Sequence, residues 1–455
     1  MKYTKMYQAI AKILGKDEQI DFVMSNRSAR LVELWSAMFE DNAPWRGKDG
    51  QTLSLPTAIS GEIARLVTLE LQTKVEGSTR ATYLDEIYQK VMKKARIFTE
   101  YACAKGGLVF KPYVTEQGLQ VQLVQADSFF PITFDDSGNI TRCVFVEQFR
   151  NGSDIYTRVE YHKLIADQMV IRNRAFRART DGVLGSEISL GEVMRWSGLA
   201  AEVVFSGVQK LPFGYFRVPL ANNVDSDSPL GVSCYSRAIG LIREADKRYG
   251  QINWEYESKE TAIHIAESLL KYRQDLDKFE YPGGKERLYR AVDYNTGAVD
   301  KPLLDAFSPE IRDASYFNGL NQQLKRIEFN CNLAYGTLSD PSAIEKTAEE
   351  IKVSRQRSYS FIEDCQGALQ DALEDFVAAM DFWATIYNLA PAGSYNVSYV
   401  WDDSIVVDAE KERQTDRADV AMGAMMLWEY RAKWYGETEE QAKAAVQQPV
   451  EVIEQ

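Results

Sequence analysis

The sequence predicts an α+β fold in which helices predominate. Short β-rich runs separated by turn dipeptides occupy residues 108–176, and such short connections favour an antiparallel meander. Two long amphipathic patterns, over about 232–260 and 309–332, flank a segment that we expect to form a small α/β insertion. A third pattern, over about 343–389, contains no proline, and its about 47 residues exceed the roughly 8–20 that are usual for a globular helix.

Length and composition indicate a folded, acidic chain. Its 455 residues allow about three domains at roughly 150 residues each. Apolar residues make up 45% and aromatic residues 11%, so the chain can bury a core and is not a disordered protein. Lys and Arg number 53 against 66 Asp and Glu, for a net charge of −13. This balance argues against tight binding of nucleic acid to a broad basic surface.

The remaining elements follow from local signals. The N-terminus reads as a short amphipathic helix and not as a signal peptide. We expect helices over 25–39, over 54–71 with Ser54 as N-cap, and over 81–104, and a short strand over 214–218. After the long helix we expect a strand over 395–400 and two helices, over 409–434 and 437–447, which Gly436 separates.

The sequence gives little support for a metal site, for disulfide bonds or for a membrane span. The two histidines, His162 and His264, lie far apart and outside any metal-ligand spacing, so we expect no metal site. Five scattered cysteines without a CxxC motif predict buried thiols in a reducing compartment. No apolar run reaches about 18 residues, so we expect a soluble protein without a membrane span.

Catalytic motifs are also missing from the sequence. It contains no GxxxxGK[ST], GxGxxG after a strand, GxSxG or HExxH. Acidic pairs such as Asp402–Asp403 are common, but 66 acids in 455 residues produce such pairs by chance. We therefore predict no catalytic residues, no cofactor and no enzyme activity, and a carboxylate-dependent hydrolase remains only a remote alternative.

Three segments resemble one known family. They are SPLGVSCYSRAIGLIREADKRYGQINWEYE at 228–257, FSPEIRDASYFNGLNQQLKRIEFNCNLAYGTLSDPSAIEKTAEEIKVSRQRSY at 307–359 and VWDDSIVVDAEKER at 400–413. In order and spacing they are similar to portal proteins of tailed bacteriophages, of the type with long flexible tails and Gram-positive hosts. The N-terminal half matches by pattern only.

The resemblance implies a portal fold that assembles as a ring, usually of twelve copies. By analogy we expect a wing over 1–225, stem helices over 226–260 and 309–332, and a clip over 261–308. A tunnel loop over 333–344, a long spoke helix over 343–394 and a crown over 395–455 would follow. The absence of an ATP motif fits, because in this family a separate terminase subunit hydrolyses ATP.

The resemblance also directs attention to two candidate DNA-facing groups. In the tunnel loop these are Tyr335, Gly336, Thr337, Leu338, Ser339, Asp340, Ser342 and Lys346. On the first stem helix, the acids Glu244, Asp246, Glu255 and Glu257 are candidates to face the channel, where negative charge would keep DNA mobile. Alternatively, those acids pair with Lys247 and Arg248, and Ser342 with nearby acids caps the long helix.

The expected function is therefore a portal at one capsid vertex, through which double-stranded DNA is packaged and ejected. The expected partners are further copies of the chain, DNA as non-specific cargo, the terminase large subunit, the major capsid and scaffolding proteins and a head–tail adaptor. The protein would reside in the virion, and in the host cytoplasm during assembly. Another virion ring protein, such as a head–tail adaptor, is the alternative, although those chains are usually shorter.

Overall fold

The chain combines helices with antiparallel sheets, so the α+β prediction is confirmed. The computed structural model describes residues 3–18, 22–46, 51–180, 182–226, 228–259, 262–266, 270–274, 278–280, 289–292, 304–307, 310–340, 348–401 and 409–447.

The N-terminal part is helical, with one short strand. Ser25 caps the second helix as its hydroxyl accepts a hydrogen bond from the Ser28 amide. Ser54 precedes the third helix as predicted, but its hydroxyl donates to Asp41 at 2.9 Å and caps nothing. The elements are α1 (Tyr3–Glu18), α2 (Asn26–Phe39), α3 (Leu55–Thr68), β1 (Gln72–Gly77), α4 (Thr79–Met92) and α5 (Ala95–Lys105).

Besides the Ser54 cap, one predicted helix in this part is wrong and one strand was missed. The single helix expected over 81–104 is two helices, because the chain turns at Lys93 and Lys94 between α4 and α5. Strand β1 was not expected, since its hydrogen-bonding partner is a strand near the other end of the chain. The predicted end at Gly106 is confirmed, because this glycine adopts the left-handed conformation and bonds back to Ala102.

The predicted antiparallel meander is confirmed, but it divides into two sheets between its second and third strands. The smaller sheet has the order β10-β2-β3, and the larger has the order β4-β5-β6-β7-β8, with β9 also paired to β7. The strands are β2 (Gly107–Thr115), β3 (Gly118–Gln125), β4 (Phe129–Phe134), β5 (Ile140–Asn151), β6 (Asp154–Ile165), β7 (Gln168–Ala178), β8 (Ser186–Ile188), β9 (Glu202–Ser206) and β10 (Gly214–Arg217).

The first long helix, α6 (Ile239–Ser258), starts later than the predicted residue 232. The preceding residues pack backbone to backbone against the end of α5, where the Cys234 amide donates to the Cys103 carbonyl at 2.9 Å. A Cβ at Gly231 would lie 2.1 Å from the Gly106 carbonyl oxygen, so this approach requires a glycine. That tertiary contact delays the helix.

Strands and two further long helices follow α6. The residues described between 262 and 307 form strands, where the sequence suggested a mixed α/β insertion. The next helices confirm the other two long patterns, within a few residues at their described ends. The elements are β11 (Ala262–Ala266), β12 (Lys271–Arg273), β13 (Lys278–Glu280), β14 (Tyr289–Val292), β15 (Leu304–Phe307), α7 (Asp313–Asn330) and α8 (Ala348–Ile386).

The C-terminal part begins with β16 (Tyr395–Val400), as predicted, and this strand pairs with β1. The single helix expected over 409–434 is wrong. It is interrupted after Met422, because Gly423 adopts a φ of 74°. The three helices are α9 (Ala409–Met422), α10 (Leu427–Tyr435) and α11 (Glu439–Gln447). Asp402 and Asp403 lie outside the described residues.

The longest described helix, α8, supplies much of the main core. The Phe376 ring is fully buried, with its centroid 5.4 Å from that of Phe110 and 6.2 Å from that of Tyr88. A second core lies between α1 and the larger sheet, where Tyr3 stacks on Phe130 at 4.4 Å. The five cysteines are free and buried, as predicted, and burial raises the pKa of the Cys103 thiol to about 12.

Candidate nucleic-acid interface

Helices α6 and α7 form an antiparallel pair. Arg312, which precedes α7, contacts Glu255 near the end of α6. Further along α7, the Gln323 side-chain amide donates to the Leu241 carbonyl near the start of α6, at 3.2 Å. Buried apolar residues fill the seam between the helices, and at 20 residues α6 extends for about 30 Å. Those seam residues are Ile242, Ala245, Ile252, Leu320 and Ile327.

Glu255, one of the predicted channel acids, is paired within its own subunit. Its carboxylate accepts two hydrogen bonds from the Arg312 guanidinium, at 3.2 and 3.0 Å, and Lys259 lies at 3.9 Å. Hydrogen bonding from Arg312 is the main cause that lowers the pKa of Glu255. This two-point contact connects the end of α6 with the beginning of α7.

Asp246, another of those acids, also accepts hydrogen bonds from its own chain. Its carboxylate accepts hydrogen bonds from the Trp45 indole at 3.0 Å, the Thr52 hydroxyl at 3.3 Å and the Leu53 amide at 3.1 Å. The side chain is half-buried and attaches the segment that precedes α3 to the middle of α6. We therefore assign Asp246 and Glu255 to the support of α6.

Glu244 and Glu257 are the two predicted acids that remain exposed. Both line an open groove of about 820 Å³ between α6 and the segment before α3. Arg243 and Lys247 line the same groove, together with Trp254, which is 64% exposed. The groove therefore carries both signs of charge beside an accessible aromatic ring.

The loop after α7 is described up to Asp340, so Ser342 and Lys346 lie outside the described residues. Within it, Thr337 and Asp340 are exposed, whereas Tyr335, Gly336 and Leu338 are half-buried. Leu338 packs against the main core, and Ser339 is only 4% exposed.

A buried carboxylate from the last turn of α7 holds this loop. Glu328 is fully buried, and its Oε1 accepts backbone N–H bonds from Gly336 at 3.1 Å, Leu338 at 2.6 Å and Ser339 at 2.8 Å. Its Oε2 accepts a hydrogen bond from the Ser339 hydroxyl at 2.9 Å. Ser339 thus helps to hold the loop, and we do not carry it forward as a phosphate contact.

Two other side chains attach the loop to its neighbours. The Asp340 amide donates to the Asn321 side chain on α7 at 2.8 Å. Arg357 of α8 donates to the Leu333 carbonyl at 3.3 Å, and its guanidinium lies 4.4 Å from the Phe329 ring centroid and 5.4 Å from that of Tyr335. The loop is therefore connected to both long helices that flank it.

A match to a known protein family covers both helices and the loop. Residues 70–446 match the family described as phage portal protein, SPP1 Gp6-like. The chain belongs to this family. No curated protein matches the portal protein in a direct comparison.

Family membership fixes the broad function of the portal protein. Portal proteins are structural components of the phage capsid, form homo-oligomeric rings and are not enzymes. Among the residues that the structure describes, no group of three His, Cys, Asp or Glu side chains is arranged to hold a metal ion. The described helices also include none that is long and apolar enough to cross a bilayer.

Sequence reasoning found the loop of the portal protein but missed the residues that position it, namely Glu328, Asn321 and Arg357. A signal for Glu328 was present. A carboxylate in the last turn of a helix opposes the helix dipole, and this one stands where no basic residue occupies that turn. Such an acid indicates a specific set of donors beyond the helix end.

Proposed function

We propose that this portal protein assembles as a dodecamer at one capsid vertex and that its central channel passes double-stranded DNA during packaging and ejection. The observation that carries the proposal is the antiparallel pair α6 and α7, which leads directly into an anchored loop within the matched residues 70–446. A long, stiff helix pair suits a channel wall, and a loop at its end suits the narrowest point.

The same reasoning assigns regions to the ring. The wing comprises 1–225, the stem 226–260 and 309–332, and the clip 261–308. The tunnel loop comprises 333–344, the spoke 343–394 and the crown 395–455. Helix α8, at 39 residues and about 58 Å, supports the spoke assignment because it is longer than one compact core needs.

The tunnel loop would touch DNA weakly. Residues 333–340 contain no Lys or Arg, and the exposed side chains are those of Thr337 and Asp340. A hydroxyl can hydrogen-bond a phosphate without the counterion release that makes a cationic contact tight. We retain the hydroxyls of Tyr335 and Ser342 as further contacts of this kind, and Lys346 as a source of weak, screened attraction.

The channel wall would be acidic or mixed in charge. Of the four predicted acids, Glu244 and Glu257 are exposed and remain our candidates for the lumen. Arg243 and Lys247 line the same groove as these acids. The wall would therefore present both signs of charge and no large electrostatic field of a single sign to the DNA.

The proposed partners follow from the regions. The terminase large subunit, which would supply the ATP hydrolysis, docks on the clip. The head–tail adaptor docks on the clip at a later stage. The major capsid and scaffolding proteins surround the wing in the virion vertex.

The test is the mass and shape of the purified particle. A dodecamer weighs about 620 kDa, twelve times the 51.7 kDa subunit, and shows a central hole by electron microscopy. A map of that ring also reports whether Glu244 and Glu257 line the channel. A compact monomer would remove the proposal, and a lumen dominated by Lys and Arg would remove the part that concerns the acids.

A further inference from the structure

The tunnel-loop backbone forms an anion site that the chain fills with its own side chain. The N–H groups of Gly336, Leu338 and Ser339 converge on one oxygen of Glu328, within 2.6 to 3.1 Å. Successive backbone N–H groups that point to one centre make a concave anion site. Hydrogen bonds to a carboxylate are roughly twice as strong as neutral ones, so this contact holds the loop firmly.

The contact joins the loop to one helix in particular. Glu328 and Asn321 are both on α7 and are separated by about two turns, so they lie on one face. Together they hold residues 336–340, whereas Arg357 of α8 contacts Leu333 and Tyr335. The exposed part of the loop is thus attached to the stem helix.

We infer that Glu328 is a positioning residue that fixes residues 336–340 to helix α7, so that the tunnel loop follows any movement of the stem. This inference rests on the proposed function, in which the loop meets DNA. A side chain that only filled space would not do this, because the amides of Leu338 and Ser339 would lose the carboxylate that accepts their hydrogen bonds, and Gly336 would keep only its 3.3 Å bond to the Ser339 hydroxyl.

Amide hydrogen exchange in the assembled particle tests the inference. Glu328→Gln keeps the size of the side chain but removes its charge, and Glu328→Asp keeps the charge but shortens its reach. We expect exchange of the amides of 336, 338 and 339 to become about tenfold faster or more in both variants. Amides of α7 before residue 328 should not change. The matched control is Glu363→Gln, which alters an exposed glutamate on α8.

The result that would overturn the inference is unchanged loop exchange in Glu328→Gln, because a space-filling residue tolerates that substitution. If the Glu328 variants fail to form particles, Ser339→Ala replaces them. It leaves the Glu328 side chain in place and deletes the 2.9 Å bond to Oε2 and the 3.3 Å bond that the Ser339 hydroxyl accepts from the Gly336 amide. That variant should speed exchange at residue 339, and no change there would equally overturn the inference.

A packaging assay with the same variants separates this inference from the proposed function. Faster loop exchange together with reduced DNA packaging supports both. Faster exchange with normal packaging upholds the positioning role of Glu328 and overturns the role of the loop in DNA passage.

Discussion

A buried group of charges joins the two sheets, and its removal should weaken that junction strongly. Lys111 of β2 and Glu160 of β6 form an ion pair at 2.6 Å, with side-chain exposures of 8% and 9%. Arg158 at 3.0 Å and His162 at 2.7 Å also contact the Glu160 carboxylate. The Lys111 ammonium lies 4.5 Å from the centroid of the Phe145 ring.

Substitution of Glu160 should destabilise the junction more than substitution of Lys111. Removal of one member of a buried ion pair costs about 3–5 kcal/mol, because the remaining charge is left in a poor solvent. Glu160→Gln removes the carboxylate that Lys111, Arg158 and His162 all contact, so we expect the full amount. Lys111→Met leaves Glu160 with Arg158 and His162, so we expect a smaller loss. In the double variant the losses should overlap by about 1–3 kcal/mol.

The measurement is the local opening free energy of β2 and β6 from native-state hydrogen exchange. A local quantity is needed because a chain of 455 residues does not unfold in a single two-state step. A loss below about 1 kcal/mol for Glu160→Gln, or strictly additive losses in the double variant, would refute the assignment of the junction to this ion pair.

The same region and the backbone contact before α6 give two more predictions. Burial is the main cause that lowers the pKa of His162 below its usual 6.5, so folding keeps the ring neutral while the unfolded chain takes up a proton. The contribution of His162 to the free energy of unfolding should therefore be fully present above about pH 6.5. Below that pH it should decline, by up to about 1.4 kcal/mol per pH unit. His162→Gln should flatten that decline, and an unchanged pH profile of the local opening free energy of β6 would contradict it. Gly231→Ala should destabilise the chain because its Cβ would meet the Gly106 carbonyl at 2.1 Å, whereas Gly367→Ala, on an open face of α8, should add up to about 1 kcal/mol of stability. Native-state hydrogen exchange of α5 and α8 measures this difference, and equal changes in opening free energy in the two variants would disprove the steric reasoning.

Local patterns were sufficient for most elements. The meander from β2 to β7 follows from turn dipeptides and β-rich runs, and α8 follows from a long pattern without proline. Features set by distant contacts could not be predicted. Strand β1 exists because β16 pairs with it, and α6 begins late because the residues before it contact the end of α5.

The candidate site shows the same division. The loop was located by resemblance and by its turn residues, and exposure then separated Glu244 and Glu257 from Asp246 and Glu255. Helix periodicity cannot make that separation. The acids lie on one helix, and their partners, such as Arg312, come from other elements.

The filled anion site bears on how an acidic chain could handle DNA. In the proposed channel, a loop with three converging N–H groups would be the strongest phosphate site available, as it is at many phosphate-binding turns. Glu328 occupies that site from inside the subunit, so those donors are withdrawn from DNA. The exposed remainder offers Thr337 and Asp340, a hydroxyl and a carboxylate. A net charge of −13 per subunit and a blocked phosphate site therefore act in the same direction, because each removes an attraction that would slow a sliding duplex.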